Sequence, residues 1–171
     1  MKVLVDANVC LDVLLGRVPF GESSTKIWSL VEEGRLEGVV PAHVVTTVHY
    51  LVSKERGRAT GRRFIVDLIR VFRVAAVTET VLKRALELDF ADFEDAVCSA
   101  AAEEACCDLV VTRNRKDFVG SPVTAVDPIT ALALVEGGGS GVSERGATYG
   151  THCAKGVRAA RGARAGARAR R

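Results

Sequence analysis

"MKVLVDANVCLDVLLG", residues 1–16, sets an apolar run, Val3 to Val5, directly against a carboxylate, Asp6. A short β-branched run reads as a buried strand. An unpaired charge taken out of water at its end costs several kcal/mol or more, about as much as a whole domain can spare. Asp6 therefore has to be solvated, hydrogen-bonded or matched by a cation. A parallel sheet offers such a place, because ligands bind outside the carboxyl ends of its strands, near a switch point in strand order.

The remaining sequence alternates element types as a parallel sheet requires. "STKIWSLVEEGRLEG" puts Ile27, Trp28, Leu30 and Val31 at helical spacing before Gly34, and "EGVVPA" predicts a second strand ended by Pro41. A helix is expected over "HVVTTVHYLVSKERG", ending near Gly57, and another over "ATGRRFIVDLIRVF", with Phe64, Leu68 and Val71 on one stripe. Arg73 to Val77 reads as a third strand; "TETVLKRALEL" and "ADFEDAVCSAAAEEA" read as helices. "DLVVT", Asp108 to Thr112, is the clearest strand after the first, and "VTAV" with "DPITALALVE" adds a last strand and helix. Strands separated by helices need crossover connections, so the fold class is α/β: a mostly parallel central sheet with helices on both faces.

The 171 residues carry 48% hydrophobic and 26% charged side chains, a composition that excludes a fibrous or wholly disordered chain. A chain of this length buries roughly two thirds of its unfolded surface. No apolar run approaches the roughly 20 residues that span a bilayer. Lys2 precedes only a short run broken by Asp6, unlike a signal peptide, so the cytoplasm is the expected location, with no membrane contact. Five cysteines with no C-x-x-C pair suggest neither a disulfide framework nor a zinc ribbon, and His43, His49 and His152 are too scattered for a metal site.

Charge divides the chain. Residues 137–171 hold eight basic residues against the single acid Glu144, or +7, leaving −4 on residues 1–136 out of a net +3. Beyond "GGGSG" the chain is Gly, Ala and Arg, too poor in apolar groups to offset the entropy of ordering. Residues 137–171 are thus expected to be a disordered basic tail, and residues 1–136 the folded domain. The tail reads as a solvated appendage or as a salt-sensitive RNA contact.

Three further groups stand where the rim that holds Asp6 can use them. Asp95 falls in the first turn of a helix, and Asn114 and Asp117 follow the strand "DLVVT". Oxygen donors of this kind suit hard cations, Mg²⁺ or Mn²⁺, which take few protein carboxylates and keep several waters. One or two such ions can activate water for in-line attack on a phosphodiester. Each residue also has a plainer role open to it. Asp92 and Asp95 can cap and complement a helix N-terminus, Asn114 and Asp117 can form a turn, and Asn8 can either cap the first helix or orient Asp6.

"LVDANVCLDVL", "DFEDAV" and "VTRNRKDF", in this order, resemble the PIN domains, nuclease domains named after the N-terminus of PilT, and within them the VapC-type toxins. The resemblance covers about residues 1–136 and implies a PIN-like three-layer sandwich. It implies a metal-dependent endoribonuclease using Mg²⁺ or Mn²⁺, acting on RNA, often dimeric, and often a toxin held inactive by a cognate antitoxin. Carried over by position, Asp6, Asp95, Asn114 and Asp117 form its catalytic and metal-holding site. The chain departs from the family at Thr47, where the resemblance expects a glutamate. That departure motivates a second reading, a PIN-like fold that binds RNA or a partner protein without cutting. A third has Asp6 as a phosphoryl-accepting nucleophile, against which Asn8 stands where phosphatases carry a second aspartate.

Overall fold

Residues 1–137 are described by the computed structural model. In chain order the elements are β1 (Lys2–Val5), α1 (Ala7–Leu15), α2 (Gly21–Glu32), β2 (Glu37–Pro41), α3 (Ala42–Arg56), α4 (Arg58–Val71), β3 (Arg73–Ala75), α5 (Glu79–Glu87), α6 (Phe93–Glu104), β4 (Leu109–Val111), β5 (Ala125–Val126) and α7 (Pro128–Gly137), with a 3₁₀ turn at Arg115–Phe118 before β5. The basic tail expected at 137–171 lies outside the described residues, apart from Gly137, which closes α7.

The five strands form one sheet in the order β3-β2-β1-β4-β5, and every pairing is parallel. Leu4 of β1 faces Val39 of β2 on one side and Val110 of β4 on the other. The chain builds outward from β1 to β3, then returns past β1 to lay down β4 and β5. The reversal falls between β1 and β4, the position where sheets of this type bind ligands.

Continuous burial explains why these runs form central strands. Successive side chains of a strand point to opposite faces, yet Val3, Leu4, Val5 and Leu109, Val110, Val111 are all buried. Both faces are therefore covered, which is the expected three-layer arrangement. The helices fall into two packed sets: α5 with α6, which lies against β1 and β4, and α1, α2, α3, α4 and α7, linked through α1–α2, α1–α3, α2–α7 and α3–α4. Trp28 of α2 joins this second set, 5.5 Å from the Phe64 ring of α4 and 4.9 Å from Phe72, centroid to centroid. Gly38 of β2 makes room for that cluster, since a Cβ there would stand 2.6 Å from both Phe72 and Val31.

Two strands are shorter than the sequence pattern predicts. The third, expected over 73–77, ends at Ala75, and the last reduces to Ala125–Val126. Both are edge strands, where a ladder forms on one side only and short pairing is the rule. The N-terminal helix α1 begins one residue after β1 and ends at Gly16, whose left-handed φ of 59° lets its N–H reach the Asp12 carbonyl. Among the described residues no helix is long and apolar enough to cross a membrane.

Candidate active site

Asp6 leaves β1 with an extended backbone and becomes the N-cap of α1. Its N–H donates to the Val111 carbonyl at 3.1 Å, so β4 fixes its height in the sheet. The carboxylate is 6% exposed. Its Oδ1 accepts the Ala7 N–H at 2.5 Å, and its Oδ2 accepts from Asn8 Nδ2 at 2.5 Å and from the Thr112 hydroxyl at 2.8 Å. Burial pushes its pKa up, with the Glu94 charge adding to that, while the Thr112 and Ala7 bonds and the Arg113 charge pull it down. These bonds, charge-assisted and hence roughly twice as strong as neutral ones, are what offset burial at the end of β1.

Asn8 does not cap α1. Asp6 holds that position, and Asn8, inside the first turn, bridges β1 to β4 instead: its Nδ2 donates to Asp6 and to Thr112 Oγ1, and its Oδ1 accepts the Arg113 N–H at 3.2 Å. Of the two roles open to it, orienting Asp6 is the one the hydrogen bonds support. Thr112, fully buried, was not singled out in the sequence. Its hydroxyl donates to Asp6 and accepts from Asn8 Nδ2 and the Asn114 N–H, each at 3.0 Å, so one donor and two lone pairs are all used.

On α6, Asp92 is the N-cap, accepting the Glu94 N–H at 2.8 Å, the helix-capping role open to it. Asp95, one residue beyond Glu94, is half-buried, and its carboxyl is pushed up to about 7. Burial is the largest cause, followed by the negative charges of Asp6, Asp92, Asp117 and Glu94. Glu94 is an acid the sequence reading passed over, although "DFED" crowds three acids into four residues. Its charge also acts on Asp6.

Asn114 and Asp117 form a turn through the backbone, the Asp117 N–H donating to the Asn114 carbonyl at 2.9 Å. Both residues are exposed, and among the described residues neither side chain has a hydrogen-bond or ion-pair partner. The segment is tied to α6 by the 2.6 Å bond between the Ser99 and Ser121 hydroxyls.

Asp6, Asp95, Asn114 and Asp117 all line one cleft of about 660 Å³, together with Asn8 and Glu94. Thr47 of α3 faces the same cleft, at the position where the family resemblance expects a glutamate. Among the described residues no three His, Cys, Asp or Glu side chains are grouped closely enough to form a ready-made metal cage. An all-oxygen set of separated carboxylates fits a small hard cation that keeps most of its waters and takes one or two carboxylates. Next to it, Arg113, Asn114, Arg115 and Lys116 line a second cleft of about 470 Å³, and Lys116 borders both. Arg115 pairs with Asp127 at 3.5 Å, whereas Lys116 has no partner among the described residues.

His43 does not line the cleft; its Nε2 lies 3.5 Å from Cys98 Sγ, and the Glu94 charge acts on it, while His49 is exposed. His152 lies outside the described residues. Cys10, Cys98 and Cys107 are free and buried, as small apolar residues are.

The PIN domain family matches residues 2–116. The chain belongs to the PIN domain family. Solved structures share its fold at low identity. One is VapBC2 from Rickettsia felis, bound to a DNA fragment from its promoter, at 15% identity and a TM-score of 0.61, covering 74% of this chain and 98% of that one. A toxin–antitoxin complex from Klebsiella pneumoniae matches at 20% identity and 0.57, covering 74% and 97%. VapC20 from Mycobacterium tuberculosis, described as a toxin cleaving the sarcin–ricin loop, matches at 16% and 0.53, covering 63% and 86%. No curated protein matches.

Proposed function

We propose that this chain is a metal-dependent endoribonuclease, using Mg²⁺ or Mn²⁺, and the toxin of a toxin–antitoxin pair. The observation that carries the reading is the meeting of Asp6, Asp95, Asn114 and Asp117 around one cleft at the carboxyl ends of β1 and β4. Asp6, Asp95, Asn114 and Asp117 would hold the divalent ion, which would supply Lewis-acid chemistry there, lowering the pKa of a water and neutralising charge on a phosphodiester. The chain's own contribution is positional. Asp6 is held rigid on Oδ2 by two donors while Oδ1 keeps a lone pair free, and Asp95 and Asp117 bring further negative charge from α6 and the 3₁₀ turn. Lys116, at the border with the basic cleft, can take the phosphate next to the one being cut.

Support for RNA as substrate and for an antitoxin as partner comes from relatives of the same fold, one described as cleaving the sarcin–ricin loop and another as a toxin–antitoxin complex. The resemblance adds a homodimer, which sedimentation of the purified chain tests. Cleavage of structured RNA in Mn²⁺ or Mg²⁺ by the wild type, abolished in Asp6→Asn, is the expected result. Undiminished cleavage by Asp6→Asn would reject the mechanism.

Thr47 favours a second reading, in which the cleft binds RNA or protein without cutting, because a hydroxyl replaces a carboxylate there. Calorimetry decides between them. Absence of Mn²⁺ or Mg²⁺ binding at millimolar concentration selects the non-cutting module.

A further inference from the structure

We propose that Asp12 and Arg113, neither of them in the acidic cleft's donor set, form a buried ionic clamp that positions Asp6 through the backbone of residues 112–114. The clamp is a positioning device for the site just described and rests on that reading for its catalytic consequence.

Asn8 and Asp12 stand four residues apart on α1, so they share one face of the helix. That face grips Arg113 twice. Asn8 Oδ1 accepts the Arg113 N–H at 3.2 Å, and Asp12 Oδ1 lies 3.2 Å from Arg113 Nη1. The guanidinium carbon also sits 4.6 Å from the centre of the Phe20 ring, and Asp12 Oδ2 accepts weakly from Ser24 Oγ at 3.4 Å. Arg113 lies between Thr112, whose hydroxyl donates to Asp6, and Asn114, whose N–H donates back to Thr112. Fixing Arg113 by both backbone and side chain therefore fixes Thr112, one of the two side chains that hold Asp6 Oδ2, and Asn114, whose N–H bonds the Thr112 hydroxyl.

The pair is a poor stabiliser in its own right. Asp12 is fully buried, and neither its Oδ1 nor Arg113 Nε has a hydrogen-bond partner, so the two side chains meet as charges at 3.2 Å and not through a directed hydrogen bond. Desolvation of such a pair is so costly that well-packed apolar residues of similar volume are often as good or better for stability. What apolar packing does not provide is charge: the Arg113 guanidinium is drawn by the Asp12 carboxylate on one side and lies over the Phe20 ring on another, and is held between the two. The geometry points to orientation of the 112–114 backbone as the property the pair supplies.

The test uses the full chain and the double variant Asp12→Val/Arg113→Met, which removes both charges and changes the summed volume little. Amide hydrogen exchange is followed at Arg113 and Asn114, whose N–H groups bond Asn8 and Thr112 and so report the order of the 112–114 backbone, alongside melting temperature, Mn²⁺ affinity by calorimetry and RNA cleavage. The expected result is a melting temperature at or above the wild-type value. Exchange at both amides should be faster by about tenfold or more, Mn²⁺ affinity weaker by a similar factor, and kcat lower with KM little changed. A folded double variant with wild-type exchange at both amides overturns the clamp. Should the double variant not fold, Asp12→Asn, which keeps shape and removes only the charge, is read the same way: faster exchange supports the clamp and wild-type exchange overturns it. Because exchange is measured without metal or RNA, it decides the clamp even if the wild type neither binds Mn²⁺ nor cuts RNA, an outcome that sinks the nuclease reading separately.

Discussion

The Thr112 hydroxyl donates to the Asp6 carboxylate at 2.8 Å, joining residues 106 positions apart in the chain. That bond closes the gap between β1 and β4 at the point where the order of strands reverses. With its two accepted bonds, from Asn8 and from the Asn114 N–H, Thr112 is the hub on which the acidic cleft is built.

Thr112→Val keeps the shape and removes the hub. Stability is expected to fall by about 1–3 kcal/mol, because Asn8 and Asp6 keep their burial and lose a partner. Cleavage is expected to fall by about 10- to 100-fold, the usual effect of losing a group that orients a metal-holding carboxylate. Urea unfolding and single-turnover RNA cleavage measure the two effects, and Thr112→Ser, which restores the hydroxyl, should recover most of both.

Asp95 makes the metal-free protein less stable as pH rises. Its carboxyl, raised from 3.8 to about 7, still holds a proton in the folded state where the unfolded chain has lost it. Between those pH values the folded state binds more protons, so stability declines as pH climbs through the window. Asp95→Asn removes the effect, and at pH 8 it is expected to be more stable than wild type by about 1–2 kcal/mol, well under the full shift because solvent reaches the half-buried group. The gap should close toward pH 4, as thermal melts across the range would show.

Divalent cations should reverse that penalty. In the wild type, Mn²⁺ at about 100 times its dissociation constant is expected to add about 2.7 kcal/mol to unfolding, and chelation to remove it. Asp6→Asn should lose most of this gain. Equal stabilisation of both proteins would place the ion elsewhere.

Removing half of the Asp12–Arg113 pair is far more damaging than removing all of it. Asp12→Ala leaves a mostly buried guanidinium without its counter-charge, and about 3–5 kcal/mol of stability should be lost. Asp12→Val/Arg113→Met should lose little or none. Denaturant midpoints of the two variants test the contrast.

Much of the fold was legible because the local signals agree. Val3–Val5 and Leu109–Val111 are continuous apolar runs, as strands covered on both faces must be, and Gly57 and Pro41 mark real ends of α3 and β2. The four candidate site residues could be picked out because each is polar and stands where a strand ends or a helix begins. Thr112 and the Asp12–Arg113 pair could not, since their meaning depends on β4 lying beside β1, and no local pattern records strand order. Asn8 was ambiguous for the same reason: a cap is a local role, whereas a bridge to Thr112 is visible only across the sheet.

The placement of β1 at the centre of the sheet also orders events at the ribosome. Domains fold from the N-terminus as the chain emerges, but one whole ladder of β1 stays open until Leu109–Val111 arrives. A nascent or prematurely terminated chain that stops short of Leu109 thus exposes the apolar edge of its central strand, the kind of edge that seeds aggregation. Its Asp6 also lacks the Thr112 hydroxyl and the Val111 carbonyl that tie it to β4. Asp6 and Asp95 therefore cannot meet Asn114 and Asp117 until about two thirds of the 171 residues have been made.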